Sequence, residues 1–301
     1  MSIADLLPCN RQCFSTHSAR SKQPLNIIRL DIQRSTILNQ LRIEEALLRA
    51  SDANYLIINK IPPNERAIVL GISGHAERWA QLHHCAKDSI PLIQRFTGGG
   101  TVYLDRNTLM VTVIMNKSAT DVKPFPRELM GWSSVIYRKS FEFIDSTTPK
   151  HASKQQIAPL FALRGHDYCL LDKKFGGNAQ AITRDRLLHH SSLLMDYDIN
   201  AINHYLLMPS LDRQPEYRKQ RSHADFLTPL SNYADETEFC FALETALSEE
   251  FSHSCRINQD EVLPYLDRPH DKLLKVLDAE RELQRVERQI AATAAQSLSS
   301  T

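Results

Sequence analysis

The 301-residue sequence predicts an α+β fold, mixed and antiparallel sheets with helices packed against them. Three observations carry that expectation. β-rich runs dominate the middle of the chain, and helical periodicity marks the segments around them. Five of the nine glycines fall in two short motifs, Gly98-Gly99-Gly100 and Gly176-Gly177, each joined to strand-like sequence.

The elements follow in order. A first strand is expected over 26–31. Ser35 is placed to cap a helix running to about residue 50, with Leu38, Leu41 and Leu48 at helical spacing. Residues 55–59 and 67–72 read as strands, separated by the turn Pro62-Pro63-Asn64. Residues 77–86 suit a helix. A strand over 92–96 enters the triple glycine and another over 101–104 leaves it. Residues 109–115, rich in Val, Ile and Met, read as a buried strand. Pro126 opens a helix at its first position, with Leu129, Trp132, Ile136 and Phe143 on its apolar face. Residues 145–160 are polar and aperiodic, hence a surface loop. Strands are expected over 167–171 and 179–182, flanking the second glycine motif, and within 187–197. A short helix over 199–207, a charged loop over 215–228 and a helix over 238–251 come next. The last helix spans 273–290, with Leu273, Val276, Leu283, Val286 and Ile290 on one face. It is read as docking on the domain, with dimerisation or contact to an acceptor protein as the alternative.

Composition removes several function classes. Lys and Arg total 36 against 35 for Asp and Glu, so no global field draws the chain to nucleic acid or to a membrane surface. No apolar run approaches the roughly 18 residues that span a bilayer. The six cysteines (9, 13, 85, 169, 240 and 255) form no CxxC pair, which argues against a zinc ribbon or disulfide scaffold and fits a reducing compartment. Residues 1–24 differ from the rest. They hold four serines, Arg11, Arg20 and Lys22, with Asp5 the single acid. That is the composition of an organelle transit peptide, or of a disordered tail. The first reading places the protein in the mitochondrial matrix, the second in the cytoplasm.

The two glycine motifs carry the chemistry. The spacing in Arg95-Phe96-Thr97-Gly98-Gly99-Gly100-Thr101-Val102-Tyr103-Leu104-Asp105 is neither GxGxxG nor GxxxxGK[ST], and no helix pattern follows. A strand–glycine–strand connection can turn its N–H groups toward a phosphate or carboxylate, and Arg95 adds a planar fork for such oxygens. A plain hairpin with a surface arginine is the alternative. In Lys173-Lys174-Phe175-Gly176-Gly177-Asn178-Ala179, a lysine beside glycine backbone suits stabilisation of charge in an acyl transfer, and Asn178 offers a neutral hydrogen bond. On a strand Lys173 and Lys174 face opposite sides, so one of the two points into a site.

These motifs resemble the lipoate–protein ligase A/B family, whose catalytic domain is shared with biotin–protein ligases. The family signature R-R-x-[ST]-G-G-G-x-V-[YF]-H-D lines up with Gln94 to Asp105. The signature N-D-[IL], then [RK]-K-x-[SG]-G-[SN]-A, then D-R-x-x-H-H-[GTS]-[ST]-L-L, lines up with 166–168, 173–179 and 185–194. The match covers about residues 26 to 230.

The resemblance implies a class II biotin/lipoate ligase-like catalytic domain over 25–230, after the tail of 1–24 and before a short helical extension over 231–301. It implies attachment of a lipoyl or octanoyl group to a lysine of an acceptor lipoyl domain, through an acyl-adenylate made from lipoate and ATP with Mg²⁺. Acceptors would be the lipoyl domains of 2-oxoacid dehydrogenases or the glycine cleavage H protein. Lys174 would contact the acyl carbonyl and the α-phosphate. Arg95, Gly98, Gly99, Gly100, Thr101, Val102, Tyr103, Asp167, Gly177, Asn178 and Ala179 would form the acyl and nucleotide pocket, with Val69 and Ile72 as apolar wall. No resident metal site is expected.

Three positions depart from the family pattern. Gln94 stands for the usual first arginine, Leu104 for a histidine and His166 for an asparagine. A missing cation weakens triphosphate binding more than adenylate binding. The segment after about residue 230 is shorter than the accessory domain of bacterial-type ligases. Two further readings stay open: a transferase using a preformed lipoyl-AMP or another acyl donor, and a non-catalytic lipoate- or adenylate-binding protein. Biotin ligation is disfavoured because no GRGRxGRxW-type string occurs.

Other residues are weighed separately. Cys169 is a nucleophile candidate, because related transferases use a cysteine, or a buried small thiol. His83-His84-Cys85 and His189-His190 are poor chelators, since adjacent side chains diverge; the second pair is expected to shape the pocket. Asp185-Arg186 reads as a turn pair. Glu44 and Glu45 read as a solvated helix face, with a bond to the glycine loop as the alternative.

Overall fold

The computed structural model describes residues 22–30, 35–147, 156–269 and 272–299. The expected leader over 1–24 lies almost wholly outside them. In chain order the first elements are β1 (Leu25–Arg29), α1 (Ile37–Ala50), β2 (Asn54–Lys60), β3 (Arg66–Leu70), α2 (Leu82–Lys87) and β4 (Leu92–Gln94). Next come β5 (Val102–Asp105), β6 (Thr108–Asn116), α3 (Pro126–Thr147), β7 (Phe161–Arg164), β8 (Asp167–Leu170), β9 (Lys173–Ile182) and β10 (Arg186–Leu194). The chain closes with α4 (Ile199–Tyr205), α5 (His223–Phe226), α6 (Glu236–Ser248), β11 (Ser254–Arg256), β12 (Lys275–Leu277) and α7 (Ala279–Ser299).

The strands form two sheets. The larger has the order β11-β1-β2-β6-β10-β9-β8-β7, and the smaller β12-β4-β3-β5. Both are mixed. β1 runs parallel to β2 and β11, while the rest of the large sheet is antiparallel. The expected α+β class is therefore the observed one.

Alternation explains how the large sheet is covered. Leu56 and Ile58 of β2 point to the face where α3 and α6 pack, with Leu129, Ile136, Phe141, Phe239 and Leu243. Tyr55 and Ile57 point the other way, to Ile43, Leu47 and Leu48 of α1. Because both faces are covered, β2 and β6 read as near-continuous apolar runs. The N-terminal end of α1 turns its Ile37 and Leu41 to Val69, Ile93 and Leu104 of the small sheet. That helix is thus wedged between the two sheets. On the far side of the small sheet, Ile68, Leu92 and Tyr103 pack with α2, α4 and α5.

Several local expectations are corrected. Thr36, not Ser35, caps α1, accepting from the Asn39 N–H; Ser35 is buried and donates to Gln259. The helix expected over 77–86 is broken. A 3₁₀ turn (Ala76–Arg78) precedes α2, because the Gln81 N–H and Trp79 carbonyl bond to Tyr205 and Leu207 instead. The final helix begins late. Residues 275–277 pair with β4, and Asp278 accepts from the N–H groups of Glu280 and Arg281 to start α7. The second glycine motif lies inside β9 rather than between strands. The charged loop over 215–228 contains a 3₁₀ turn (Glu216–Arg218) and α5. In the loop expected over 145–160, α3 runs on to Thr147, residues 148–155 lie outside the described part, and Asp145 accepts from the N–H groups of Ile157 and Ala158. After residue 230 the chain supplies α6 to the large core, β11 to one sheet and β12 to the other. No helix among the described residues is long and apolar enough to cross a membrane.

Candidate functional site

The site forms where β5 and the triple glycine of the small sheet meet β8 and β9 of the large one. Strand β9 carries Lys174. Tyr168 pairs with Gly176 but Cys169 pairs with Lys174, so Phe175 is the extra residue of a bulge. Bulges re-aim a side chain. Phe175 enters the core, Lys173 faces solvent and Lys174 faces the cleft. The Lys174 side chain lies across the strand over Gly177, where a Cβ would stand 3.4 Å from Nζ. Lys174 Nζ ends 2.7 Å from Asp167 Oδ1.

Arg95 does something other than expected. Its guanidinium is buried and turned onto its own loop. Nε donates to Thr97 Oγ1, Nη1 to the Val69 carbonyl, and Nη2 to the carbonyls of Gly98 and Gly100. Four bonds leave little of the fork for a ligand. Burial pulls its pKa down to about 10, opposed by the Glu44 charge, so it stays protonated at neutral pH. Arg95 is thus the staple of the glycine loop. Gly98 is likewise committed, its N–H to Gln180 and its carbonyl to Arg95. Gly99 has φ +89°, which glycine alone adopts at ease, and an added Cβ would approach Arg95 Nη2 to 2.9 Å. Behind the loop, a Cβ on Gly71 would overlap the Gly99 carbonyl oxygen.

A buried chain of polar groups supports this staple. Thr97 Oγ1 lies 3.2 Å from His190 Nε2, and His190 Nδ1 donates to Glu44 Oε2 at 2.8 Å. Glu44 Oε1 also accepts from Thr112 and Gln40. Glu45 accepts from Arg49 and from the N–H groups of Leu273 and Leu274, which ties the C-terminal segment to α1. The expectation of a solvated glutamate face is therefore wrong: both carboxylates are buried and saturated, because α1 lies between two sheets.

Two cavities flank Lys174, of about 260 and 220 Å³. Gly100, Thr101, Val102, Asp167, Lys174 and Gly177 line both, so they are two lobes of one cleft with Lys174 at the junction. The larger lobe adds Trp79, Tyr103, Phe226, Leu227, His223 and Arg218. The smaller adds Arg95, Gly99, Asn178, Ala179 and His166, with an aliphatic wall of Leu41, Val69 and Met110 beside Leu104, which lines both lobes. Gly98 lines neither lobe, and Ile72 is exposed away from both. Asn178 lines the smaller lobe, but its amide donates to the His166 carbonyl and its oxygen accepts from Gln180. Leu104, in place of a histidine, makes the wall more apolar. Gln94, in place of an arginine, donates to the carbonyls of Ile72 and Gly74 and shapes the adjoining turn.

The remaining candidates separate cleanly. Cys169 is buried and lines neither lobe, and burial pushes its thiol up to about 11, which is the setting of a small buried thiol rather than of an activated nucleophile. His189 and His190 point to opposite faces of β10. His189 faces α3, where burial holds it down to about 3 and therefore neutral. His84 stacks on His204, rings 4.0 Å apart. Arg186 of the Asp185-Arg186 pair is buried and donates to Asn116 and the Ala53 carbonyl. No group of three or more metal-ligating side chains occurs among the described residues.

Sequence reasoning missed Leu41, Met110, Trp79, Phe226 and Tyr217. Each is an ordinary apolar or aromatic residue in its own segment and joins the site only through tertiary packing. Tyr217 donates its hydroxyl to Asp167 Oδ2 at 2.7 Å.

Comparison with known proteins agrees with this geometry. The lipoyl protein ligase A/B catalytic domain model matches residues 36–252. A protein of Plasmodium falciparum named inactive lipoate–protein ligase 2 is 29% identical over 252 residues, covering 70% of this chain and 65% of its own length. This chain thus spans less than two thirds of that relative. Among solved structures, a lipoate-protein ligase A bound with ATP superposes with a TM-score of 0.58 at 18% identity, covering 82% of this chain and 95% of that one. The bi-partite lipoate protein ligase from Thermoplasma acidophilum, solved in a study that includes its E2 lipoyl domain, gives 0.57 at 19% identity, covering 82% and 93%. At such identities the superpositions speak for the fold alone. Two glycine motifs in order, the lysine between two lobes and the matching domain model together place this chain in the lipoyl protein ligase A/B catalytic domain family.

Proposed function

We propose that this chain attaches a lipoyl or octanoyl group to a lysine of an acceptor lipoyl domain, with an acyl-adenylate lying across the two lobes. The single observation that carries the reading is Lys174 at their junction. An acyl-adenylate has an apolar arm and a nucleoside arm, joined at a mixed anhydride. The smaller lobe, walled by Leu41, Val69, Leu104 and Met110, suits the acyl chain, whose burial contributes about 0.8 kcal/mol per CH₂. The larger lobe, lined by Trp79, Tyr103 and Phe226, has the aromatic character that suits a base. The anhydride then falls beside Lys174. Attack by the acceptor amine builds negative charge on the carbonyl oxygen and expels AMP. A preorganised ammonium stabilises both charges.

The donor is favoured to be a preformed adenylate rather than ATP with Mg²⁺, and one observation supports this. Among the described residues lining the lobes, the arginines and lysines are Arg95, Lys174 and Arg218. Arg95 is committed to its loop. Arg218 donates to the Arg221 carbonyl and stacks its guanidinium 4.6 Å from the Phe226 centroid. Gln94 is neutral and engaged. That set suits the single phosphate of an adenylate better than a triphosphate.

The test uses the full chain and an apo lipoyl domain from a 2-oxoacid dehydrogenase or an H protein. One tube holds lipoate and ATP with Mg²⁺, the other synthetic lipoyl-adenylate. Acylation of the acceptor with adenylate only is the expected result. Acylation in both tubes makes the chain a complete ligase. No acylation in either, with adenylate still bound, makes it a non-catalytic binding protein.

A further inference from the structure

Tyr217 lines neither lobe, yet its phenol reaches the pair that does. Asp167 is bridged: Oδ1 accepts from Lys174 Nζ and Oδ2 from the Tyr217 hydroxyl, both at 2.7 Å. Burial, then the Asp167 charge, push the phenol far above its ordinary range, so it is a donor at any working pH. The Cys169 thiol donates to the Tyr217 phenol oxygen at 3.5 Å, which leaves the phenol proton for the carboxylate. The ring is fixed as well. It packs on Phe226 with centroids 5.4 Å apart, and the Tyr217 carbonyl accepts from Arg221, itself bonded to Asp172. Lys219 and Gln220 close the turn at φ +51° and +59°, a region that L side chains seldom occupy. Arg218 and His223, on either side of this turn, line the larger lobe.

We propose that Tyr217 is a positioning residue for acyl transfer: its hydroxyl shares the Asp167 charge, which keeps Lys174 aimed at the junction yet free to turn toward the acyl oxygen. The inference rests on the acyl-transfer reading of this site. A carboxylate that loses one donor grips the remaining one more tightly. An ammonium gripped in that way is less available to a developing oxyanion.

Tyr217→Phe keeps the ring and removes only the hydroxyl. The first measurement needs no enzymatic activity. Lys174 is acetylated with an N-hydroxysuccinimide ester at about pH 8 and its rate followed by peptide mass mapping. Exposed Lys173 serves as the internal control. Tyr217→Phe is expected to slow Lys174 roughly threefold or more without changing Lys173, and to add nothing in an Asp167→Asn background. Replacing Tyr217 with 3-fluorotyrosine, a stronger donor of nearly the same shape, should speed Lys174 and remains available where the Phe variant melts. The second measurement is transfer from lipoyl-adenylate, where Tyr217→Phe lowers kcat about tenfold and leaves KM within about twofold. Unchanged Lys174 acetylation in Tyr217→Phe, or an equal loss with and without Asp167, overturns the proposal. A wild-type chain that transfers nothing counts against the acyl-transfer reading alone, since the labelling still reports on Tyr217.

Discussion

Lys174 reaches from β9 to place its ammonium 2.7 Å from the Asp167 carboxylate on β8, at the seam between the two lobes. The pair is partly open to solvent, so its worth to stability is small. Its worth to function is placement. A cation held there meets whatever carbonyl or phosphate bridges the lobes.

Lys174→Met keeps much of the side-chain length and removes the charge. Transfer from lipoyl-adenylate is expected to fall about a hundredfold or more, the usual loss when one charge-stabilising donor is removed. Unfolding free energy should change by only about 1 kcal/mol. Urea unfolding and a transfer assay on the same preparation check both. Wild-type transfer in this variant would refute the assigned role.

Arg95→Lys conserves charge and tests whether charge is what matters. Lysine has no planar fork and cannot serve Thr97, Val69, Gly98 and Gly100 together. Leaving buried carbonyls unpaired costs about 1–3 kcal/mol each, so stability is expected to drop by at least about 2 kcal/mol. Adenylate affinity, measured by calorimetry, should weaken about tenfold as the loop loosens. Near-wild-type values for both would mean that the guanidinium acts as a point charge after all.

Cys169→Ala separates acyl transfer by an adenylate from transfer through a thioester. The thiol is buried, raised to about 11 and outside both lobes. Activity is expected to stay within about threefold of wild type, the small loss reflecting its contact to Tyr217. Intact mass of wild type incubated with lipoyl-adenylate should show no acyl adduct removable by hydroxylamine. A dead variant together with such an adduct would restore the nucleophile.

Acid should weaken the fold through two histidines. Burial holds His189 down to about 3; burial first, then Arg218 and Lys174, hold His223 down to about 4. Both stay neutral in the folded chain while the unfolded chain takes up protons below about pH 6.5. The unfolded state then binds more protons, so stability falls as pH drops from about 6.5 toward those values. Above pH 6.5 neither contributes. The slope is about 1.4 kcal/mol per pH unit for each histidine. In His189→Gln, the stability lost between pH 7.5 and 5 should shrink by about 2 kcal/mol in urea titrations. An acid slope equal to that of wild type contradicts the assignment.

Much of this was legible in the chain itself. Near-continuous apolar runs located β2 and β6 because those strands are buried on both faces, and the glycine motifs with Lys174 marked the cleft. Adjacent lysines on one strand must diverge, so one of Lys173 and Lys174 had to face inward. The bulge at Phe175, which local sequence does not encode, chose Lys174.

What the sequence by itself determined is the α+β class, most strands, the family and the two segments that build the cleft, since periodicity and glycine placement are local properties. Only the tertiary structure decided where the polar groups point. Arg95 turned inward, where its planar fork serves four oxygens of its loop and neighbouring strand at once, and Glu44 and Glu45 are buried because two sheets close over α1. Tyr217 met Asp167 across fifty residues of chain. A hydrogen bond between distant residues depends on how the segments between them pack, and that information is spread over the whole core rather than written at either end.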